Sequence, residues 1–400
     1  MSNASIAERA RKVLFPNYKQ APIAVVRGLG ARVWDADGRE YIDWLGGVAT
    51  VALGHNHPAV RAAVEAQLQT LWHISNHYYN EPQVALAERI VADGHGERAF
   101  FCNSGTEANE AALKVVRRFH FAHGHPERVE VLCAKESFHG RTYGSLAATG
   151  QPKYQEGFGP MPGGFRHLPF GDLAAFEAAV GSQTAAILVE CVQGESGVVV
   201  PPAGFIAGLR RLCDAHGLLL MLDEVQGGLG RTGKLWSFEH EGVSPDIFTL
   251  AKALGNGLPI GAVLAKARVA EVMGPGTHGS TYGGNPVAAA GACAVYDELV
   301  HHGAMARGRL GAARLVAGLE EIRSQTGDVI TDLRHRGMWI GLTFRDDRAA
   351  KVLANARDRG LLVNAIGDRM MRFAPSLLIT DSEIDSGLSR FADALQAADA

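Results

Sequence analysis

Cysteine is scarce in this 400-residue sequence, and it follows no pattern. The five cysteines are scattered, and none stands in C-x-x-C spacing: Cys102, Cys133, Cys191, Cys213 and Cys293. An odd number without regular spacing argues against a disulfide framework and against a cysteine zinc site. We therefore expect a protein of a reducing compartment.

Long apolar runs and an excess of charge of one sign are also missing. No apolar stretch reaches the length of a membrane span, and residues 1–10 lack the apolar core of a signal peptide. The formal net charge of -3 gives no electrostatic footprint for nucleic acid or for an anionic membrane. These absences predict a cytoplasmic protein whose partners are small molecules, not nucleic acid or membrane.

The composition is typical of a globular protein, with 47% hydrophobic and 20% charged residues. The chain is longer than a domain with a single hydrophobic core usually is. Residues 129–134, 185–190 and 218–223 are short apolar runs typical of buried parallel strands. Residues 203–216 have helical spacing and stop at Gly217. Strand, helix and strand in this order predict an α/β fold with a doubly wound, mostly parallel sheet.

The two ends of the chain differ from this middle part. Residues 305–322 form an amphipathic helix pattern rich in Arg and Ala, followed by the apolar run 338–344 and a helical tail. Residues 31–43 have the pattern of a hairpin. We expect a large domain at 51–303 and a smaller α+β domain at 304–400, joined by the N-terminal segment 1–50.

An aspartate and a lysine lie at the ends of two apolar segments. Asp223 ends the run 218–223, and Lys252 lies just after the segment 247–250. Pyridoxal phosphate chemistry needs a lysine that forms a Schiff base and an acid that keeps the pyridine nitrogen protonated. The pair therefore indicates a pyridoxal phosphate site, for which a phosphate-binding element is also required.

Residues 102–114 (CNSGTEANEAALK) are the candidate for the phosphate. Ser104 is a helix N-cap residue type, and an amphipathic helix pattern follows it. The free N–H groups at such a helix start bind a phosphate readily. Gly105 permits a close backbone approach, and Ser104 and Thr106 add hydroxyl groups.

Motifs along nearly the whole chain resemble the class III aminotransferases of the acetylornithine/ornithine type. They are residues 103–114 (NSGTEANEAALK), 138–142 (FHGRT), 151–160 (QPKYQEGFGP), 222–226 (LDEVQ), 230–233 (GRTG), 249–252 (TLAK), 279–286 (GSTYGGNP), 362–365 (LVNA) and 372–375 (RFAP). The resemblance implies the fold type I of pyridoxal-phosphate-dependent transferases, and a homodimer with shared active sites.

The resemblance also implies a role for individual residues at the cofactor. Lys252 would form the Schiff base and move the proton, while Asp223 would pair with the ring nitrogen. The remaining contacts would be Gln226 to the ring hydroxyl, Val225 and Phe138 to the ring faces, Ser104, Gly105 and Thr106 to the phosphate, and Thr281 to the phosphate of the neighbouring subunit.

For the substrates, the resemblance implies two carboxylate-binding arginines, Arg141 and Arg372. Planar guanidinium groups bind carboxylates through two parallel hydrogen bonds, so a pair of them fits a dicarboxylate. Glu195 would pair with Arg372 while a donor with one carboxylate is bound. Tyr18 matches a tyrosine that contacts substrate in ornithine enzymes of this type. His55 and His57 are read as turn residues before a helix, and no metal is expected.

The expected reaction is transfer of the terminal amine of N2-acetylornithine to 2-oxoglutarate, giving N-acetylglutamate 5-semialdehyde and glutamate, a step of arginine biosynthesis. Ornithine, succinylornithine, 4-aminobutyrate or a carrier-linked lysine derivative remain alternative donors. An aminomutase with the same cofactor is a rival enzyme class, although the two arginines favour the aminotransferase. A nucleotide-binding protein finds no support, because no G-x-x-x-x-G-K-[ST] motif occurs.

Overall fold

The computed structural model describes residues 1–398 and contains fifteen strands and thirteen α-helices in that part of the chain. The strands are β1 Val25–Leu29, β2 Arg32–Asp35, β3 Glu40–Asp43, β4 Arg98–Cys102, β5 Glu130–Ala134, β6 Phe165–Leu168, β7 Thr184–Glu190, β8 Leu219–Asp223, β9 Ile247–Leu250, β10 Gly261–Ala265, β11 Ile330–His335, β12 Ile340–Phe344, β13 Leu361–Leu362, β14 Asn364–Ile366 and β15 Met370–Phe373. The helices are α1 Asn3–Val13, α2 Gly46–Ala49, α3 Pro58–Leu68, α4 Glu81–Val91, α5 Gly105–Ala122, α6 Tyr143–Ala148, α7 Leu173–Ala179, α8 Phe205–His216, α9 Ala267–Ala270, α10 Pro286–Val300, α11 Ala304–Gln325, α12 Ala349–Asp358 and α13 Asp381–Gln396.

A seven-stranded sheet forms the centre of the molecule, in the order β4-β10-β9-β8-β7-β5-β6. All its strands run in one direction except β10, which is antiparallel to both β4 and β9. Every residue of β7, β8, β9 and β10 is buried, which accounts for their continuous apolar sequences. The predicted α/β fold with a mostly parallel sheet is confirmed.

The individual element predictions also agree with the structure. The three apolar runs correspond to β5, β7 and β8, and the helix predicted at 203–216 is α8. This helix ends at Gly217, whose φ of 64° is left-handed and costs glycine little. The helix predicted at 305–322 is α11, and the run 338–344 contains β12.

Two four-stranded sheets are built from the ends of the chain. One has the order β11-β12-β15-β14 and is antiparallel throughout, with α11 and α13 packed against each other beside it. The other has the order β1-β2-β3-β13, and its parallel pairing of β3 with β13 joins residues 40–43 to 361–362. This pairing supports the association of residues 1–50 with the C-terminal part, while the boundaries at 50 and 303 stay a prediction.

The longest helix, α11, has 22 residues, and Arg307, Arg309 and Arg314 lie along its length. Within residues 1–398, no helix is both long and apolar enough to cross a membrane.

Candidate active site

A cavity of about 410 Å³ opens at the carboxyl edge of the large sheet. Five parallel strands (β4, β5, β7, β8 and β9) end at this edge, and antiparallel β10 begins there. Ligands of open α/β sheets bind in this position, where loops from several strands converge. The lining residues are Thr50, Asn103, Ser104, Gly105, Thr106, Asn109, Phe138, His139, Gly140, Arg141, Glu190, Glu195, Asp223, Val225, Gln226, Ala251, Lys252, Gly257, Leu258, Pro259 and Ile260.

Lys252 extends into this cavity from the turn after β9. Its φ of 39° lies in the left-handed region, which is unusual for a residue with a side chain. Burial lowers the pKa of Lys252 to about 8, with Glu195 opposing the shift and Arg372 reinforcing it. With this pKa, roughly a tenth of the lysine is neutral at pH 7, far more than for an ordinary lysine, so it can act as a nucleophile or base.

Asp223, at the end of β8, is buried and held by three donors. Its Oδ2 accepts hydrogen bonds from Asn109 Nδ2 and His139 Nδ1, both at 2.8 Å, and its Oδ1 accepts one from the N–H of Val225 at 3.0 Å. Thr249 Oγ1 in turn donates to Asn109 Oδ1 at 2.9 Å. Donors from three separate segments therefore fix the orientation of this carboxylate.

The start of α5 forms another wall of the cavity. Ser104 is the N-cap, with its Oγ accepting from Glu107 N at 3.3 Å and contacting Glu107 Oε2. Thr106 Oγ1 accepts from the N–H groups of Arg141 and Thr142. Both hydroxyls are thus engaged in the protein. The N–H groups of Gly105 and Thr106 have no acceptor within residues 1–398, and they provide the anion site expected at a helix start.

Arg372 and Glu195 form an ion pair beside the cavity. Arg372 Nη1 lies 2.7 Å from Glu195 Oε1, and the Arg372 side chain is nearly inaccessible to solvent. Burial alone would raise the pKa of Glu195, but the charges of Arg372 and Lys252 and two hydrogen bonds outweigh it, so that this pKa is lowered. Glu195 is therefore a carboxylate, and Arg372 is neutralised.

Gln226 forms hydrogen bonds with both Glu195 and Arg372 on the side facing the cavity. Its Nε2 donates to Glu195 Oε1 at 3.1 Å, and its Oε1 accepts from Arg372 Nη1 at 3.1 Å. The loop that carries Glu195 is attached nearby, because Ser196 Oγ donates to the carbonyl oxygen of Glu136. Asn364 Oδ1 accepts from Arg372 Nη2 at 3.0 Å on the opposite side.

Most of the residues predicted from the sequence meet at this cavity, but three do not line it. Arg372 stands behind Glu195 and Gln226. Tyr18 is 76% exposed in the segment after α1, and Thr281 is exposed in the turn before α10. His55 and His57 lie in the turn before α3, as expected, and His55 Nε2 is 2.8 Å from Asp43 Oδ2.

Asn109 and Glu190 are among the cavity residues that were not predicted as site residues. Asn109 is a polar residue on the buried face of α5, next to Ala108 and Ala112, and a buried amide needs partners. That position was a signal available in the sequence. Glu190 ends β7 opposite Asp223, and burial, followed by the Asp223 charge, raises the pKa of Glu190 well above its ordinary value. Nothing in the sequence near Glu190 indicates that neighbour.

Comparison with known proteins decides the family. The family model for class III aminotransferases matches residues 14–395. The chain belongs to this family. It is 52% identical to the acetylornithine aminotransferase of Myxococcus xanthus over 385 residues, 96% of each chain. It is 47% identical to that of Mycolicibacterium smegmatis over 383 residues, again 96% of each.

Solved structures of aminotransferases superimpose on this one. The ornithine aminotransferase of Toxoplasma gondii ME49 has a TM-score of 0.96 at 32% identity, covering 100% of this chain and 96% of that one. The N-acetylornithine aminotransferase of Stenotrophomonas maltophilia has a TM-score of 0.85 at 38% identity, covering 98% of each. The fold type I of pyridoxal-phosphate-dependent transferases is confirmed.

The cofactor of this aminotransferase is pyridoxal 5'-phosphate, and the cavity fits it. A Cβ on Gly105 would lie 2.7 Å from Val225 Cγ1, and one on Gly140 would lie 2.2 Å from Thr106 Oγ1, so glycine keeps this wall open. Free N–H groups suit the phosphate, Lys252 suits the aldehyde, and the fixed Asp223 carboxylate suits a protonated ring nitrogen.

Proposed function

We propose that this aminotransferase transfers the terminal amine of N2-acetylornithine to 2-oxoglutarate. The observation that carries the proposal is the unequal state of its two arginines. Within residues 1–398 the Arg141 guanidinium group at the cavity has no hydrogen-bond or ion-pair partner, whereas Arg372 is paired with Glu195. One free and one neutralised arginine suit a donor with a single carboxylate. The names of the 52% and 47% identical relatives support acetylornithine as that donor.

At the reacting carbon, we assign the proton transfer to Lys252. Pyridoxal 5'-phosphate supplies the electron sink and carries the amine when it is bound. Lys252 removes the proton from the substrate carbon that bears the nitrogen, for which its lowered pKa suits it. Asp223, fixed by Asn109 and His139, holds the ring nitrogen in its protonated form.

The remaining cofactor contacts follow the family resemblance. Phe138 and Val225 line the cavity and are assigned to the ring faces, and Gln226, which also lines it, is assigned to the ring hydroxyl. Ser104, as N-cap, orients the start of α5, where the N–H groups of Gly105 and Thr106 take the phosphate.

The two substrates differ in which of the two arginines they bind. Arg141 binds a carboxylate of either substrate through its free N–H groups. A dicarboxylate such as 2-oxoglutarate or glutamate brings a second carboxylate, which displaces Glu195 and takes its place on Arg372. A permanently unpaired Arg372 would be a buried charge while acetylornithine is bound, and the pairing avoids that cost.

We further propose that the protein is a cytoplasmic homodimer in which Thr281 reaches the partner's cavity, and that Tyr18 contacts substrate. Thr281 is exposed beside an apolar surface that a monomer would leave in water. This surface, the 71–79 patch, has Tyr282 packed against His73, with ring centroids 5.2 Å apart. Its exposed large side chains are Leu71, Trp72, Ile74, Tyr78 and Tyr79. Two-fold pairing is the most frequent way to cover such a patch.

A panel of amine donors tests the proposed reaction. The holoenzyme is assayed with 2-oxoglutarate and, in turn, N2-acetylornithine, ornithine, succinylornithine and 4-aminobutyrate, and glutamate formation is measured. We expect the highest kcat/KM for N2-acetylornithine. A higher value for free ornithine would assign the enzyme to that donor instead, and turnover without any keto acid would indicate an aminomutase.

A further inference from the structure

The two arginines assigned to carboxylates are held in different ways. Arg372 donates hydrogen bonds to Gly194 O, Glu195 Oε1, Gln226 Oε1 and Asn364 Oδ1. The guanidinium group of Arg141 donates to no acceptor within residues 1–398. A long, exposed side chain without partners loses several rotamers when it binds a ligand, and this loss weakens binding. Any restriction of Arg141 before a ligand binds therefore comes from contacts other than hydrogen bonds.

An aromatic ring lies directly against Arg141. The Cζ atom of Arg141 is 3.8 Å from the ring centroid of Tyr154 and 5.5 Å from that of Phe138. The two rings contact each other edge to face, with centroids 5.9 Å apart and an interplanar angle of 89°. A guanidinium group stacks on an aromatic face by its own flat face. Its N–H groups point outward in the guanidinium plane, so they stay available for a carboxylate.

Tyr154 is itself held firmly in place. It ends the 3-10 turn Pro152–Tyr154, and its N–H donates to Gln151 O at 3.0 Å. Gln151 Nε2 donates to Ser137 O at 3.1 Å, which ties the turn to the segment before Phe138. On the other side, Gln155 Nε2 donates to Leu146 O at 3.0 Å in α6. These hydrogen bonds fix the backbone from which the ring projects.

We propose that Tyr154 is a positioning residue that holds Arg141 by cation–π stacking and so prepares it for substrate carboxylates. This inference rests on the proposed carboxylate-binding role of Arg141. An acidic partner would also orient Arg141, but a substrate would then have to displace it. A stacked ring orients the guanidinium without competing for its hydrogen bonds.

The test compares Tyr154→Leu, which removes the ring, with Tyr154→Phe, which keeps it. For glutamate and N2-acetylornithine, Tyr154→Leu should raise KM roughly 5- to 25-fold, the range expected for a partly desolvated cation–π contact, with little change in kcat. Tyr154→Phe should stay within about twofold of the parent enzyme, since the stack needs no hydroxyl. A primary alkylamine without a carboxylate should react at the same rate with all three proteins.

Two further variants separate this inference from the proposed function. Phe121→Leu removes the ring beside Arg118, 5.7 Å away on the outer face of α5, and should change nothing. Arg141→Leu should raise KM for carboxylate substrates more than Tyr154→Leu does, and the double variant should equal Arg141→Leu alone. If Arg141→Leu has its effect and Tyr154→Leu does not, the positioning role is wrong. If Arg141→Leu is silent, the proposed role of Arg141 fails.

The reaction with the alkylamine also shows whether each variant is folded. A Tyr154→Leu protein that reacts normally with the alkylamine is correctly folded. A loss of activity confined to carboxylate substrates then supports the proposal. Should that variant not fold, Tyr154→Met gives the same comparison with a flexible, non-aromatic side chain. Equal slowing of the alkylamine and of glutamate by both variants would reduce Tyr154 to a structural residue and overturn the proposal.

Discussion

Lys252 combines two unusual properties, a left-handed backbone and a pKa near 8, and each follows from its place in the fold. Non-glycine residues with positive φ cost about 1–3 kcal/mol and are kept where the surrounding structure imposes them. Here the turn after β9 brings the side chain into a cavity shared with Asp223, Glu190 and Glu195. The amine is removed from bulk water there, which is the main cause of its lowered pKa.

The pKa of Lys252 predicts how capture of pyridoxal 5'-phosphate by cofactor-free enzyme depends on pH. Only the neutral amine attacks, so the capture rate should rise as pH rises and level off above a midpoint of about 8. Titration at that midpoint gives about a fivefold rise from pH 7 to 8 and less than about a twofold rise from 8 to 9.5. Stopped-flow absorbance measures the rate.

An ordinary lysine, with a pKa of 10.5, would instead show a continuing rise of about tenfold per pH unit up to pH 9.5. Glu195→Gln provides an internal check. Glu195 raises the pKa of Lys252, so its neutralisation should move the midpoint to lower pH. A midpoint that moves upward would contradict the electrostatic account.

The pair of Glu195 and Arg372 predicts opposite effects on the two half-reactions. Glu195→Gln should slow the N2-acetylornithine half-reaction by at least about tenfold, because Arg372 would be left buried and unpaired, while the glutamate half-reaction keeps its rate. Arg372→Ala should slow glutamate more than the donor. Single-turnover kinetics measure each half separately.

Glu156→Gln is a control for the loss of one negative charge, since Glu156 is exposed and lies outside the cavity. It should leave both half-reactions unchanged. If Glu195→Gln and Arg372→Ala slow both halves equally, no alternation takes place, and Glu195 only holds its loop.

At the scale of elements, the start of α5 is packed against Val225, two residues after Asp223. A methyl group on Gly105 would meet Val225 Cγ1 at 2.7 Å, so Gly105→Ala must shift Val225 or the start of α5, both of which line the cavity. Overpacking of this kind costs about 1–3 kcal/mol. We expect a weaker affinity for pyridoxal 5'-phosphate, by roughly 5- to 150-fold, measured by equilibrium dialysis of cofactor-free enzyme.

Gly181→Ala is the matched control. Gly181 is exposed after α7, its added Cβ would meet nothing within 4 Å, and its φ is not left-handed. The same change of glycine to alanine should there leave cofactor affinity unaltered. Unchanged affinity in Gly105→Ala would mean that Val225 moves without consequence.

The sequence predicts these elements well where one local signal is enough. Residues 185–190 and 218–223 are continuous apolar runs, and both are buried strands of the central sheet. The contacts that fix Asp223 were harder to foresee, because Asn109 and His139 come from separate elements and meet it only through the sheet order. The placement of Gln226 between Glu195 and Arg372 likewise depends on three distant segments.

At the scale of the whole molecule, Thr281 predicts that active sites are shared. A single chain leaves it exposed next to the 71–79 patch and outside its own cavity. Thr281→Ala and Lys252→Ala proteins should each be strongly impaired. Mixed dimers of the two should regain activity, because one of their sites then contains Lys252 from one subunit and Thr281 from the other.

Mixing the two variants distinguishes active sites shared between subunits from sites formed within one subunit. If Thr281 served its own chain, every site of a mixed dimer would carry one defect, and mixing would restore nothing. Activity after mixing is compared with that of each variant refolded alone. Sedimentation of Trp72→Glu is an independent measure, since a charge in the 71–79 patch should shift the protein toward monomers.

The position of β10 between β4 and β9 has a consequence for how the chain folds during its synthesis on the ribosome. Residues 98–102 pair with residues 261–265, and residues 42–43 pair with 361–362. At about 5–20 residues per second, β4 waits roughly 8–32 s for its neighbour to be synthesised. Until then the loop that leads to Gly105 has no support, and an apolar strand lacks a partner. No nascent half of this chain can hold the cofactor. We therefore expect the yield of folded protein to depend more on shielding of β4 during synthesis than on the supply of pyridoxal 5'-phosphate.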